Sequence, residues 1–330
     1  MVNVTHFMRR PHPAAYSIER LYEDVRAHVP DDINVTAYVN QNFSKGFWAR
    51  LSDTIRAIRY QSEVNHVTGD VHYITYLLDK RRTILTVHDC EMLARSSGVR
   101  YFLLWLFWFW LPAKRANHIV VVSAETKTQL MKIIQYDANK VQVIHNPVSL
   151  IFKPIPKRFN SDRPRLLQIG TKANKNIERL AEALAGLDIT LVIVGKLSKQ
   201  QVGVLRNNGI DFENLAGLSD QAMLEEYHRC DLLLLVSTYE GFGLPIVEAQ
   251  SVGRPVVTSN ISSMPEIAGD AAYFVDPFDP KSIRDGVSTI MADEELRNQL
   301  IELGWKNAKR FKVETIAEKY ASLYRMVRAE

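Results

Sequence analysis

Two carboxylates flank a glycine-rich turn in the second half of the chain. Glu240 and Glu248 lie on either side of the sequence GFGLPIV. Glycine lets backbone N–H groups approach a ligand, and Pro245 suits the first turn of a helix, whose N-terminus binds phosphate groups. Because carboxylates accept hydrogen bonds from the paired hydroxyl groups of sugars and ribose, the segment indicates a sugar-phosphate site. The alternative is that Glu248 complements the helix dipole and Glu240 is a solvated loop residue.

A second loop carries basic residues in front of a predicted helix. Lys172 and Lys175 follow a predicted strand at 165–170 and precede an amphipathic segment that begins at Ile177. Basic side chains beside a helix N-terminus strengthen an anion site. The loop therefore predicts a second contact to the same phosphate group, unless each lysine is only a solvated charge.

Short runs rich in β-branched residues predict the elements that position these loops. We identify 11 such runs along the chain, with amphipathic segments between them. Strands that alternate with helices form parallel sheets covered on both faces, and their ligands bind beyond the carboxyl ends of the strands. We predict an α/β protein with two doubly wound domains and a cleft between them. Its parts are residues 1–150, a proline-punctuated linker at 151–164, residues 165–311, and a helix at 312–330 that could pack back on the first domain.

A histidine ends a predicted strand in the first half. His88 is the last residue of the predicted strand TILTVH at 83–88 and precedes Asp89. A neutral imidazole at this edge could position a hydroxyl group or take part in proton transfer. The alternative is a histidine that is merely hydrogen-bonded.

Three motifs follow one another in the second half. They are STYEGFGLPIVEA at 237–249, GRPVVTS at 253–259 and MPEIAGDAAYFVDP at 264–277. Together they resemble the donor-site signature of glycosyltransferase family 4, and the resemblance extends over residues 164–324. It implies a retaining sugar transferase of GT-B fold, in which two Rossmann-like doubly wound parallel-sheet domains face each other across a cleft. It also implies a nucleotide-sugar co-substrate and no metal or other cofactor.

The resemblance assigns roles to the matching positions. Glu248 would hold the ribose hydroxyls, Glu240 would lie by the donor sugar, and Lys175 would contact the diphosphate. The family usually has an arginine after Gly170, where this chain has Thr171, so Lys172 is a candidate replacement. Backbone groups that bind the sugar and diphosphate would come from Gly241, Phe242, Gly243 and Leu244, and the nucleobase would lie beside Gly195, Lys196, Leu197 and residues 216–219.

The first half matches the family less closely. His88 lies where relatives often have a histidine near the donor sugar and acceptor, so it joins Glu240 and Lys175 as a catalytic candidate. Many relatives have glycines after the first strand, whereas this chain has Arg9 and Arg10, with Tyr16 following. These residues would face the acceptor, and the arginines would suit a phosphate on it unless they are only solvated.

An uninterrupted apolar segment of 11 residues begins with Tyr101 and ends with Leu111. It contains three tryptophans, and basic residues lie on both sides of it. A span of a bilayer takes roughly 20 residues, so this segment is too short to cross one. Tryptophans flanked by basic residues are typical of a helix that lies in a membrane interface, whereas a helix that is apolar on every side is often buried. We favour contact with a membrane surface, which a lipid-linked acceptor would require.

Composition excludes several classes of protein. The 330 residues include two cysteines, neither in a CxxC, which argues against a disulfide scaffold or a thiolate zinc site. Residues 1–150 carry a net charge of +5, from 18 basic and 13 acidic side chains, but no long basic run or zinc-knuckle spacing that would indicate nucleic acid. Without the pattern of an export signal, we expect a cytoplasmic protein, peripheral on the membrane if the aromatic segment binds lipid.

The sequence therefore predicts a retaining glycosyltransferase that moves a sugar from a GDP- or UDP-linked donor to a hydroxyl group. The acceptor would be a glycan or a lipid-linked molecule in the assembly of bacterial surface polysaccharide or lipid-linked oligosaccharide. One alternative is a sugar-nucleotide epimerase or hydrolase of the same fold, which uses no acceptor. The other is a non-catalytic binding subunit.

Overall fold

The computed structural model describes residues 1–11 and 17–330, which form two compact units. The first unit consists of residues 1–147 and 313–330, and the second consists of residues 148–312. Residues 151–164 belong to the second unit and contain no helix or strand. The acceptor-side candidate Tyr16 lies outside the described residues.

The first unit is built on a six-stranded sheet whose paired strands are all parallel. Its strands are β1 (Val2–Met8), β2 (Ile33–Val39), β3 (Val64–Val67), β4 (Thr83–Val87), β5 (His118–Val121) and β6 (Val141–Val143). The strand order is β2-β1-β3-β4-β5-β6, so β2 lies on one side of β1 and the later strands lie on the other. All five residues of β4, with the sequence TILTV, are buried. Polar and apolar residues therefore do not alternate along it as they do in a strand with one face in solvent.

Helices of the first unit connect these strands. They are α1 (Ser17–His28), α2 (Phe47–Ala57), α3 (Glu91–Ala94), α4 (Gly98–Leu104), a π-helix (Trp105–Trp110), α5 (Leu111–Lys114) and α6 (Ala124–Ile133). The π-helix joins α4 to α5 and carries the three tryptophans of the aromatic segment. Among the described residues, no helix combines the length and apolar character that crossing a membrane requires.

The second unit has its own parallel sheet of six strands, in the order β12-β11-β10-β7-β8-β9. The strands are β7 (Arg165–Ile169), β8 (Thr190–Val194), β9 (Phe212–Leu215), β10 (Leu232–Leu235), β11 (Val256–Ser259) and β12 (Tyr273–Val275). The helices are α7 (Ile177–Leu184), α8 (Lys199–Asn207), α9 (Asp220–Arg229), α10 (Leu244–Val252), α11 (Met264–Ala268), α12 (Pro280–Ala292) and α13 (Glu294–Ala308). Strands β8 and β9 are added on one side of β7, and β10, β11 and β12 on the other. The loops after β7 and β10 therefore border the crevice where open α/β sheets bind ligands.

The sequence predicts 11 of the 12 strands found among the described residues and misses β9. This strand pairs with β8 at the edge of the second sheet, and all its side chains are at least partly exposed. The sequence FENL therefore lacks the buried apolar run that marks the other strands.

The last helix, α14 (Val313–Ala329), belongs to the first unit and packs on α1. Its buried Tyr324 hydroxyl lies 2.8 Å from His6 Nε2 and 2.8 Å from His66 Nδ1. His66 Nε2 in turn lies 2.7 Å from the hydroxyl of Thr86 in β4. Burial lowers the pKa of His66 to about 3, with His88 a smaller cause, so this polar cluster is neutral at pH 7.

Candidate functional site

The loops after β7 and β10 are joined by hydrogen bonds. The side-chain amide of Asn174 donates to the Tyr239 carbonyl at 2.9 Å, and the Thr238 N–H donates to the Asn174 carbonyl at 2.8 Å. Asn174 is 5% exposed, so its amide serves these loops rather than solvent. The two loops, for which the sequence predicts phosphate and sugar binding, therefore lie side by side.

An ion pair connects these loops at their polar tips. Lys175 Nζ lies 2.5 Å from Glu240 Oε1, and each side chain is 14% exposed. From the sequence, Lys175 was predicted to contact a diphosphate and Glu240 to lie beside a sugar, but a contact between the two residues was not predicted. Their pairing puts one cation and one anion at the same point of the crevice.

Backbone geometry explains the position of Lys175. Gly170 has φ +93°, and a Cβ built on it would lie 2.7 Å from Lys175 Cε, so the lysine stem packs directly on the glycine. The next residue, Asn176, has φ 60° and donates from its side chain to the carbonyls of Val236 at 3.1 Å and Pro277 at 2.7 Å. A buried amide thus holds the start of α7 in place, and the lysine with it.

Two serines fix the backbone on the glutamate side. The Glu240 N–H donates to Ser262 Oγ at 3.2 Å, and the Ser263 hydroxyl lies 2.9 Å from the Glu240 carbonyl and 2.8 Å from the Phe242 carbonyl. Ser262 has φ 59°, a conformation that non-glycine residues rarely adopt. Neither serine was predicted from the sequence, although both immediately precede the motif that begins at Met264.

Helix α10 begins directly after the glycine-rich turn. Gly243, with φ +99°, precedes its first residue Leu244, and Pro245 lies in the first turn. Phe242 is 5% exposed and packs edge-on against Phe311, with ring centroids 5.7 Å apart. Within the described part of the chain, no side chain caps this N-terminus. Pro245 has no N–H, and the Ile246 N–H donates to the Gly243 carbonyl at 3.0 Å, so the feature that favours an anion here is the positive end of the helix dipole.

Glu248 is the fifth residue of α10 and is oriented by a tyrosine. The Tyr227 hydroxyl donates to Glu248 Oε2 at 2.5 Å. Tyr227 is fully buried, and burial, then the charge of Glu248, raises its pKa well above 10. The phenol is therefore a permanent donor that holds one carboxylate oxygen. Tyr227 was not predicted from the sequence, because a tyrosine on a helix is typical of an ordinary core residue.

Thr171 connects the β7 loop to the β8 loop. Its hydroxyl donates to the Lys196 carbonyl at 2.9 Å, and Gln201 donates from its side chain to the Thr171 carbonyl at 2.9 Å. Gly195 has φ +130°, and a Cβ there would lie 3.0 Å from Thr171 Cγ2. Thr171 therefore fills a structural position where the family usually has arginine. Lys172 and Lys196 have exposed side chains, and Leu197 is half-buried.

Candidates in the first unit lie after β1 and β4. His88 Nε2 donates to the Thr68 carbonyl at 2.8 Å, which leaves Nδ1 as the acceptor in the neutral ring. Arg9 pairs with Glu19 at 2.7 Å and with Asp70 at 2.8 Å, so this guanidinium is engaged within the unit. Arg10 is exposed, donates to the Gln41 carbonyl at 2.9 Å and lies over the Phe43 ring.

The aromatic segment is divided between core and surface. Trp108 and Phe109 are buried at 8% and 3% exposure, whereas Phe102 and Phe107 are exposed at 52% and 48%. From the sequence, burial and exposure are alternatives for the whole segment, and each describes part of it.

The described residues include no group of three or more His, Cys, Asp or Glu side chains arranged to hold a metal ion.

Comparisons with known proteins match both units. The model of glycosyl transferases group 1 matches residues 152–307, and that of Glycosyltransferase Family 4 matches residues 3–151. O-antigen chain mannosyltransferase B of Escherichia coli is 40% identical over 298 residues, which cover 81% of this chain and 75% of that protein. O-antigen chain mannosyltransferase RfbU of Salmonella typhimurium is 26% identical over 223 residues, which cover 64% of this chain and 61% of that protein. The chain thus spans three quarters of the first relative and less than two thirds of the second.

A solved structure confirms the fold predicted from the sequence. HepE of Anabaena, in complex with UDP and glucose, superposes with a TM-score of 0.79 at 16% identity, over 99% of this chain and 100% of that chain. At this identity the similarity shows a shared fold, which is GT-B, with two parallel six-stranded sheets in this chain. From these matches over both units, the chain belongs to glycosyltransferase family 4.

Proposed function

We propose that this protein transfers a mannosyl residue from a nucleotide-diphosphate donor to a hydroxyl group of a growing bacterial surface polysaccharide. The observation that carries the proposal is the convergence of Glu240, Glu248 and Lys175 around the N-terminus of α10. The choice of mannose is supported by two relatives named as O-antigen chain mannosyltransferases.

The donor is held by groups of matched chemistry. Glu248, with one oxygen held by Tyr227, accepts hydrogen bonds from the ribose hydroxyls. The diphosphate lies at the N-terminus of α10, where the helix dipole favours negative charge. Lys175 donates to the diphosphate, and Glu240 accepts from hydroxyl groups of the sugar.

Transfer proceeds with retention at the anomeric carbon. The bond from that carbon to the diphosphate oxygen breaks while the acceptor oxygen bonds to the same face, and the departing phosphate oxygen takes the acceptor proton. This step requires no protein nucleophile, so Glu240 binds sugar rather than attacking it. Lys175 and the N-terminus of α10 stabilise the charge that develops on the leaving diphosphate without a metal ion.

The acceptor side belongs to the first unit. His88 Nδ1 is available to accept a hydrogen bond from a hydroxyl group, because Nε2 donates to Thr68. We also propose contact with an anionic membrane surface through the exposed side chains of Phe102 and Phe107, beside the exposed Arg100 and Lys114. Such contact suits an acceptor carried on a lipid.

A thermal-shift screen with GDP, UDP and their mannose and glucose conjugates tests the donor site, because a ligand that binds the native state raises its melting temperature. We expect one base to stabilise the protein and Glu248→Ala to abolish that stabilisation. Unchanged donor affinity in Glu248→Ala would contradict the placement of the ribose. Release of an altered or free sugar without any acceptor would indicate an epimerase or hydrolase, and no shift with any nucleotide would indicate a non-catalytic subunit.

A further inference from the structure

Lys175 and Glu240 neutralise each other in the structure, although their proposed ligands are different parts of the donor. The two charged groups are 2.5 Å apart, and both side chains are largely buried. A diphosphate and the Glu240 carboxylate are both anions, so they compete for the Lys175 ammonium and repel each other at this separation. A nucleoside diphosphate without its sugar therefore meets an opposing charge in this crevice.

We propose that Glu240 makes the site selective for the intact nucleotide sugar over the nucleoside diphosphate product, because it holds Lys175 whenever no sugar hydroxyl occupies its carboxylate. This proposal rests on the proposed function. The ion pair thereby acts against product binding, in addition to the separate contacts of the two residues with the donor.

The pair is held by fixed backbone on both sides. The main chain of Glu240 is hydrogen-bonded to Ser262 and Ser263, and the Lys175 stem packs on Gly170. Exchange of partners therefore requires movement only of the side-chain ends. Because neither loop must rearrange, the equilibrium between paired and separated states depends mainly on what the two charged groups contact.

The donor supplies replacement partners to both residues at once. Sugar hydroxyls donate to Glu240, and the diphosphate accepts from Lys175, so each charge exchanges one charge-assisted hydrogen bond for another. After transfer the sugar hydroxyls are gone while the diphosphate remains. Glu240 then regains Lys175, which weakens the hold on the diphosphate and favours its release.

Binding measurements on Glu240→Gln test this selectivity. Isothermal titration of UDP, GDP and their mannose and glucose conjugates gives the ratio of the diphosphate Kd to the nucleotide-sugar Kd. In Glu240→Gln we expect the nucleoside diphosphate to bind about fivefold to tenfold tighter, as loss of a partly buried ion-pair partner predicts. The nucleotide sugar binds no tighter, so the ratio falls.

Asp285→Asn supplies a control with the same change of net charge. Asp285 pairs with Lys281 at 2.7 Å on the exposed face of α12, and both side chains are more than half exposed. We expect this variant to keep the wild-type ratio. An equal fall of the ratio in Asp285→Asn would overturn the proposal, because it would assign the effect to net charge.

The outcomes separate this proposal from the proposed function. Wild-type protein that binds no nucleotide contradicts the proposed function itself. If the wild-type protein binds the donor but Glu240→Gln binds the nucleoside diphosphate no tighter than the wild type does, only the proposed selectivity is overturned. If Glu240→Gln folds poorly, Glu240→Asp provides the second test: the shorter side chain draws the carboxylate back from Lys175. The nucleoside diphosphate should then bind tighter and the Kd ratio should fall, and an unchanged ratio would overturn the proposal.

Discussion

Replacement of Gly170 by alanine tests whether the packing of the Lys175 stem places its ammonium at the crevice. The backbone at Gly170 has φ +93°, which costs an alanine about 1–2 kcal/mol. The added Cβ would also lie 2.7 Å from Lys175 Cε, so the lysine stem must move. Loss of its contact with Glu240 adds about 1 kcal/mol, and loss of one charge-assisted contact to the donor weakens binding about tenfold.

Gly186→Ala is the matched control for this variant. Gly186 has φ +75°, and a Cβ there would meet no atom of the described residues within 4 Å. It therefore carries the backbone cost without displacing any side chain. Urea unfolding should show a loss of about 1–2 kcal/mol in the control and about 1 kcal/mol more in Gly170→Ala. Titration with the nucleotide sugar should show weaker binding only in Gly170→Ala, and equal donor affinity in the two variants would refute the reasoning.

Three further perturbations address other parts of the molecule. Tyr227→Phe keeps the volume of the buried ring but removes the hydroxyl that donates to Glu248, so the Kd for the nucleotide-sugar donor should rise about threefold to tenfold. An unchanged Kd would mean that other contacts orient Glu248. Phe102→Ser combined with Phe107→Ser should lower binding to anionic vesicles about tenfold in a flotation assay. Phe278→Ser, at an exposed position of the second unit, should leave vesicle binding unchanged, and equal effects of the two changes would argue against a membrane-binding surface at Phe102 and Phe107. Acidification should destabilise the first unit. Burial lowers the pKa of His66 to about 3 in the folded protein, whereas His66 in the unfolded chain takes up a proton below about pH 6.5. Between these two pH values the free energy of unfolding therefore falls by about 1.4 kcal/mol per pH unit. Equal unfolding free energies at pH 7 and pH 5, measured with urea, would contradict a neutral buried His66.

Local chemistry made one part of the site predictable. The start of α10 follows from Gly243 and Pro245, whose backbone preferences act within one turn, and the placement of Glu240 before the helix and Glu248 inside it follows directly. The parallel sheets were predictable for a similar reason, because buried strands such as β10 leave continuous apolar runs in the sequence.

Contacts between distant segments were not predictable from local pattern. Lys175 and Glu240 are 65 residues apart in the chain, and only the adjacency of β7 and β10 brings them together. Tyr227 is 21 residues from Glu248 and lies on a different helix. The same limit applies to Arg9, since its two carboxylate partners come from α1 and from the loop after β3.

The return of α14 to the first unit has a consequence for the order of folding during synthesis. The second unit is one uninterrupted stretch of chain, whereas the first is composed of two stretches separated by 165 residues, 148–312. Until α14 has left the ribosome, His6 and His66 lack the hydroxyl of Tyr324, and the apolar side chains around them lack their cover. The second unit can therefore complete its core first, and the first must wait for the final helix, which reverses the usual order in which the amino-terminal domain folds earliest.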